Sequence, residues 1–500
     1  MANGENKPIL SQTINTREPI EFKQTIRLET DNESEIERVH NIYALTRITN
    51  RDIVDDVMTI TGDSSIFALY QDAQGKLHEL KTEVSFEEKI SSVSASALLF
   101  EPEMVSYEIL GFDKNSITVN CLFKIDVTEI MSKEVGMQIS EDVALEKNFE
   151  TVVISKVVGA STSSFTESGE FEVSGDSLSL LSREAKVLIN NAFSGIDSIT
   201  VEGEIIFKSL VEVNDKVQEL IKILPFKQEV ECFGANPGNV VDCSLYVSNI
   251  MAGVDNSAEN SNVLSFTCEV NVNSICYTDE NVENVIDAYS TTNETSLTIE
   301  TVNQTNIKQV GFNSINLDFS ADISGKFGVD EILGVLNPKL IATRVIKDNK
   351  AFIEGAVELV VVYKNNNEEN FQTFQAVCPV NAVIDFTDEY NDISKLNVVI
   401  DSFKLKSGVM VEFEGKLYYT QNKSESLHVV YVSDVVVNED ERDNSAAIKV
   451  YTCEDSETLF DIAKKLNVTV EYLLSQNPSL QNGVNVGNKV YVYLPLEINF

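Results

Sequence analysis

The stretch Ile60-Thr-Gly-Asp-Ser-Ser-Ile-Phe-Ala-Leu-Tyr70 decides the fold, because its pattern recurs as Val201-Glu-Gly203-Glu through Val211 and as Ile353-Glu-Gly355-Ala through Tyr363. Two residues before each glycine stand Ile60, Val201 and Ile353. Four after it stand Ile66, Phe207 and Leu359, and eight after it Tyr70, Val211 and Tyr363. Even offsets put these side chains on one face of a strand, the period of a half-buried sheet. A glycine inside a strand marks a bulge or a close backbone approach.

Working outward, each stretch meets a polar segment: Gln71 to Lys76, Asn214 to Lys216, and Lys364 to Asn370. A second apolar run then closes with Val84-Ser85-Phe86, Leu224-Pro225-Phe226 or Cys378-Pro379-Val380. The last residues of these triplets lie 24, 23 and 25 positions after the glycine. So regular an offset predicts a hairpin with a variable tip. Each unit ends in another pair of β-like runs: Val105–Phe112 with Ser116–Val127, Cys243–Ile250 with Val263–Val272, and Leu396–Phe403 with Val409–Tyr419. Before each glycine the spacing predicts one helix. Ser34-Glu-Ile-Glu37 reads as a capping box ahead of Ile36, Val39, Ile42 and Tyr43. Ser179 to Asn191 and Val329 to Leu336 are its counterparts.

The fold expected is therefore mainly β: three tandem antiparallel β-rich modules over 1–146, 147–290 and 291–437. An acidic, aperiodic linker follows at 438–447. The last segment, 448–500, has a different texture. Ile448 to Cys453 reads as a short strand, and Ser456 as the N-cap of a helix carrying Leu459, Ile462, Ala463 and Leu466 at i, i+3, i+4, i+7. Thr469 opens a second helix with Val470, Leu473 and Leu474. Gly483 and Gly487 punctuate a loop before a closing strand, Lys489 to Tyr493, stopped by Pro495.

This small α+β (βααβ) segment resembles a LysM domain. The matching positions are Thr458-Leu459, aromatic Phe460, Ile462-Ala463, Asn477-Pro478 and Gly487 through Pro495. The resemblance implies a binding groove lined by Ser456, Glu457, Thr458, Leu459, Phe460, Asn477 and Pro478, which takes N-acetylglucosamine-containing glycans in most of the family. Ser456 stands where the family has glycine, which alone visits positive φ freely, and Glu457 is longer than the usual aspartate. These departures shift the expectation from glycan to protein, with Glu457 as a surface contact and Leu459 as interior. Three such modules before a terminal LysM domain resemble the SPOCS-domain proteins of clostridial spore coats. That implies a place in the mother-cell cytoplasm, on the forespore surface. It also implies docking of the LysM domain to the morphogenetic ATPase that encases the forespore, with other coat proteins as further partners.

Charge sets the outer limits. With 38 basic against 79 acidic residues the formal net charge is -41, so phosphates of nucleic acids and anionic membranes are repelled. The first residues carry no secretory signal pattern, and no run of about 18 apolar residues points to membrane insertion. Seven cysteines without a C-x-x-C pair fit buried, reduced thiols. His40 in the expected helix, His78 near a hairpin tip and His428 in a β-like run lack metal-ligand companions. No nucleophile-elbow, zincin or P-loop motif occurs, so no enzyme, cofactor or metal is expected. Three readings stand at this point: a coat-assembly adaptor, a peptidoglycan- or cortex-binding anchor, and a subunit that self-assembles through sheet edges.

Overall fold

In the computed structural model, residues 9–30, 35–55, 57–91, 97–135, 144–258, 261–325, 329–365, 371–387, 389–406, 409–441 and 447–494 are described. The first stretch of chain forms β1 (Ile9–Thr16), β2 (Ile20–Glu29), β3 (Ile36–Val54), β4 (Val57–Asp72), β5 (Leu77–Ile90), β6 (Ala97–Phe112) and β7 (Ser116–Val135). The second forms β8 (Glu146–Val173), β9 (Leu178–Ser194), β10 (Ser198–Val213), β11 (Lys216–Glu231), β12 (Val240–Ala258) and β13 (Ser261–Tyr289). The third forms β14 (Asn293–Asp322), β15 (Val329–Lys347), β16 (Lys350–Asn365), β17 (Phe371–Asp385), β18 (Asp392–Lys406) and β19 (Met410–Glu441).

One pairing scheme holds in all three stretches. Three consecutive strands make an antiparallel meander: β3-β4-β5, β11-β10-β9 and β15-β16-β17. The flanking strands make a second sheet, β12-β13-β8 and β14-β19-β18, and in the first stretch β7 carries β6 on one edge with β1 and β2 sharing the other. The apolar faces of the two sheets meet. Ile205, Phe207 and Val211 of the meander, for example, share one core with Leu264, Phe266 and Cys268 of β13.

The glycine hairpins lie in the register their spacing predicts. Gly62 pairs with Phe86, Gly203 with Phe226 and Gly355 with Val380. The strand before each glycine bulges against it in the first two units, with register shifts at Ile48/Asn50 and Glu202/Gly203. A Cβ on Gly62 or Gly203 would stand 2.3 Å from the Arg47 carbonyl or 2.0 Å from the Leu188 carbonyl. Only glycine fits.

The helices expected before each glycine are not there: Ile36–Val54, Leu178–Ser194 and Val329–Lys347 are strands, and His40 sits in β3. The physical reason is again the bulges. Register shifts at Ile36/Arg38 and Val39/Asn41 each insert a residue, so Ile36, Val39 and Ile42 reach one face at a spacing of three. That spacing imitates a helix. Of the sequence features read above, Ser34, residues 366–370, residues 442–446 and Pro495 lie outside the described residues.

The three units close on one another. Leu69, Leu210 and Val362, each seven residues after its glycine, share a cluster with Leu181, Leu333 and Leu336. Around that cluster the third strand of each meander touches the first strand of the next unit. Glu79 of β5 holds Arg183 of β9 through the Nε and Nη2 edge of its guanidinium. Glu219 of β11 accepts the Val335 N–H of β15 at 3.4 Å. Thr373 of β17 bonds His40 of β3, its hydroxyl reaching Nδ1 at 3.3 Å.

The outer strands extend beyond the sandwiches as two-stranded ribbons. β14, at 30 residues, spans roughly 100 Å. The β8–β13 ribbon packs against the β14–β19 ribbon through Ile154, Val282, Val302, Val429 and Tyr431, then through Val285, Ala288, Leu297, Val432 and Val435. β19 runs on to Glu441, so the first residues expected in the linker are strand. Beyond it come β20 (Ile448–Thr452), α1 (Leu459–Leu466), α2 (Val470–Gln476), a 3₁₀ turn at Pro478–Asn482 and β21 (Lys489–Tyr493).

Candidate functional site

The C-terminal segment is built on a two-stranded pairing of β20 with β21, from Ile448↔Tyr493 to Thr452↔Lys489. The chain leaves β20 through a tight loop tied at both ends. Cys453 donates to the Asn488 carbonyl at 2.9 Å, and Gly487 donates back to the Cys453 carbonyl at 2.9 Å. Ser456 adopts φ 63, the left-handed conformation, although it is not glycine. The loop thus keeps a backbone shape that glycine would supply without strain.

Thr458, not Ser456, caps α1. Its hydroxyl accepts the Asp461 N–H at 3.2 Å while Asp461 Oδ2 accepts the Thr458 N–H at 2.9 Å, a reciprocal capping box. The shift from 456 to 458 follows from the side chains: Thr458 has the acidic N3 partner that a cap at Ser456 would lack. Thr469 caps α2, accepting from the Tyr472 N–H at 3.0 Å. Phe460, Ile462, Ala463 and Leu466 of α1 turn inward with Val468, Leu473, Leu480, Val490 and Val492.

The seven groove residues divide into three kinds. Ser456, Thr458 and Pro478 are exposed, and Leu459 is half-buried. Glu457 turns back on its own unit: it accepts from Tyr451 Oη at 2.6 Å, from the Glu454 N–H at 2.6 Å and from Lys465 Nζ at 2.5 Å. Burial alone would raise its pKa, but the hydrogen bonds from Lys465, Tyr451 and Glu454 hold the carboxyl at about 2. Asn477 ties α2 to β21, donating to the Leu473 and Tyr491 carbonyls and accepting the Tyr491 N–H at 3.0 Å. Phe460 is buried edge-on against Tyr289, with ring centroids 5.1 Å apart.

Tyr289 was not legible as part of this region. It is the last residue of β13 and fully buried, and its hydroxyl donates to the Val468 carbonyl at 2.7 Å. Beside it, Asp287 receives Lys464 Nζ at 2.6 Å. The βααβ unit is therefore seated on the end of the β8–β13 ribbon by its α1 side, through residues nearly 180 positions away in sequence. No periodicity within residues 448–500 carries that information.

A second concavity lies where the three sandwiches meet. It has a volume of about 620 Å³ and is lined by Tyr43, Tyr107, Tyr246, Glu103, Glu184 and Lys339 among others. Within it Glu103 binds Lys124 at 2.8 Å and Lys339 at 3.1 Å. Among the described residues, no three His, Cys, Asp or Glu side chains are grouped to hold a metal ion. His78 bonds Asp72 at 2.8 Å, and His428 bonds Asn303 at 2.5 Å.

No family model, curated protein or solved structure matches the chain.

Proposed function

We propose that the chain is a non-catalytic spore-coat assembly adaptor, composed of three tandem copies of one β module and a terminal LysM domain. The repeated pairing scheme around Gly62, Gly203 and Gly355 supports the first part of this reading. The β-α-α-β order with Asn477-Pro478 after the second helix supports the second. The observation that carries the reading is the seating of the βααβ unit. Tyr289 and Asp287 grip its α1 side, while Ser456, Thr458 and Pro478 remain exposed for a partner. That partner is the morphogenetic ATPase on the forespore surface, and the sandwiches serve as scaffold or as docking sites for other coat proteins.

A glycan-anchoring reading keeps one specific support, the left-handed φ of Ser456, which preserves the loop shape of a glycine at that position. Sedimentation separates the two. The full-length chain is mixed with polymer of the ATPase, and separately with peptidoglycan sacculi, then pelleted. The adaptor reading expects retention by the ATPase polymer and loss of it in Ser456→Arg. Retention by sacculi alone overturns it in favour of a wall anchor.

A further inference from the structure

Two of the seven cysteines meet in space without being bonded. Cys232 Sγ lies 3.6 Å from Cys276 Sγ, and both side chains are fully buried. Among the described residues they are the cysteine pair in sulfur contact. They belong to opposite sheets of the second sandwich, Cys232 just after β11 and Cys276 inside β13. A glycine makes the approach possible. Gly159 is the β8 neighbour of Cys276, and a Cβ there would stand 3.0 Å from Cys232 Sγ and 2.7 Å from the Phe233 carbonyl. The place is also the root of the ribbon: β12 begins at Val240, opposite Tyr277, and past that point β8 alone accompanies β13.

We propose that Cys232 and Cys276 are a redox-active pair, which exchange with a low-molecular-weight disulfide converts into a disulfide joining the two sheets of the second sandwich. The sulfurs need to close from 3.6 Å to about 2 Å. Cys232 belongs to the short loop at 232–239, whose Phe233 is 72% exposed and whose Gly234 and Gly238 have φ of 90 and 92. A local opening of this loop is the route of the reagent.

The two thiols have different roles. The Cys276 thiol, Ser274 and Ser161 hydrogen-bond the Cys232 sulfur and lower its pKa against the opposing effect of burial. The same contact, together with burial, keeps Cys276 protonated. Cys232 thiolate attacks one sulfur of the reagent and expels the first small thiolate. Cys276 then gives up its proton, attacks Cys232 Sγ and expels the second. The protein dithiol loses two electrons, and the reagent gains them as two small thiols. By contrast, burial pushes Cys121 and Cys378 up to about 11 and Cys268 up to about 12. Those thiols are poor nucleophiles. This inference does not depend on the adaptor reading.

The test incubates full-length protein with oxidised glutathione, alkylates free thiols under denaturation and maps unreduced peptides by mass spectrometry. The expected result is one cross-linked species containing Cys232 and Cys276, with the other five cysteines alkylated. The thermal midpoint of the folded chain should rise by several degrees and fall back on adding dithiothreitol. Alkylated Cys232 and Cys276 after loop amides have exchanged, or either cysteine bonded elsewhere, would overturn the pairing. Cys276→Ser removes the resolving thiol, so Cys232 should retain one glutathione. No adduct on Cys232 would refute its role as nucleophile.

Discussion

Phe226 stands directly across the β10–β11 ladder from Gly203, and the tip of its ring lies 2.8 Å from where a Cβ on that glycine would be. The Leu188 carbonyl closes the other side at 2.0 Å. Gly203→Ala therefore forces backbone apart, and we expect a loss of about 1–3 kcal/mol. Gly111→Ala, where nothing lies within 4 Å, should leave stability level or raise it by under about 1 kcal/mol. Urea midpoints of the two variants check the contrast.

Tyr289 decides how firmly the C-terminal unit is seated. Tyr289→Phe removes the hydrogen bond to the Val468 carbonyl, and Tyr289→Ala also removes the edge contact with Phe460. The first should weaken the seating by about 1 kcal/mol and the second by about 3–5 kcal/mol. Hydrogen exchange in α1 should quicken in that order while the β10 amides stay protected. Equal exchange in all three proteins would show that the seating rests elsewhere.

Glu79 and Arg183 couple the first unit to the second. Their side chains are only 7% and 11% exposed, so removing one strands the other charge. Glu79→Ala should cost about 3–5 kcal/mol. Glu83→Ala, whose partner contact with Lys81 is largely solvated, should cost under about 1 kcal/mol. Thermal denaturation of both variants separates a closing contact from a surface pair.

His40 makes the contact between the first and third units sensitive to acid. Burial, against a raising hydrogen bond to the Gln71 side-chain oxygen, lowers its pKa from 6.5 to about 4. The unfolded chain therefore takes up a proton between pH 6.5 and 4 that the folded chain refuses. Stability is fully present above pH 6.5 and falls as pH drops, by about 2 kcal/mol at pH 5. His40→Gln should flatten that slope in unfolding curves taken between pH 7 and 5.

Glu457 belongs to the unit's own framework. The sequence pattern placed it on a partner surface, but its carboxylate is held by Lys465, Tyr451 and the Glu454 N–H. Its folded pKa, about 2, lies below that of the unfolded chain, so its contribution is present above about pH 4.5 and lost as pH falls toward 2. Glu457→Ala should lower the melting temperature of residues 448–494, read from the Tyr451 and Tyr472 resonances. An unchanged melt would return Glu457 to the surface role.

What the sequence made legible was set by local rules. The offsets of 24, 23 and 25 residues from glycine to triplet end are a hairpin register, and the chain obeys it pair by pair. The β21 bounds, Lys489–Tyr493, follow from alternation and the flanking loop. Ile36, Val39 and Ile42 misled because bulges turn a period of two into a spacing of three. The three-way junction was hidden for a different reason. Leu69, Leu210 and Val362 point away from their own sandwich, on the face a half-buried strand would give to water. The unbroken apolar run Val360-Val-Val-Tyr363 held the available signal, since a strand covered on both faces has no alternation. In the candidate groove, motif spacing could not tell which side chains face solvent, because Tyr289 claims Phe460 from another part of the chain.

The closed ring of three sandwiches is made from one polypeptide, and this fixes how it responds to dilution. A homotrimer with such faces would separate as its concentration fell, whereas here each face meets a tethered neighbour whose local concentration never changes. Tethering also frees the three junctions from having to match. Glu79 with Arg183, Glu219 with the Val335 amide, and Thr373 with His40 are three different chemistries at corresponding places. Each can be altered by mutation without imposing the same change twice more, so the three sides of the ring are individually addressable.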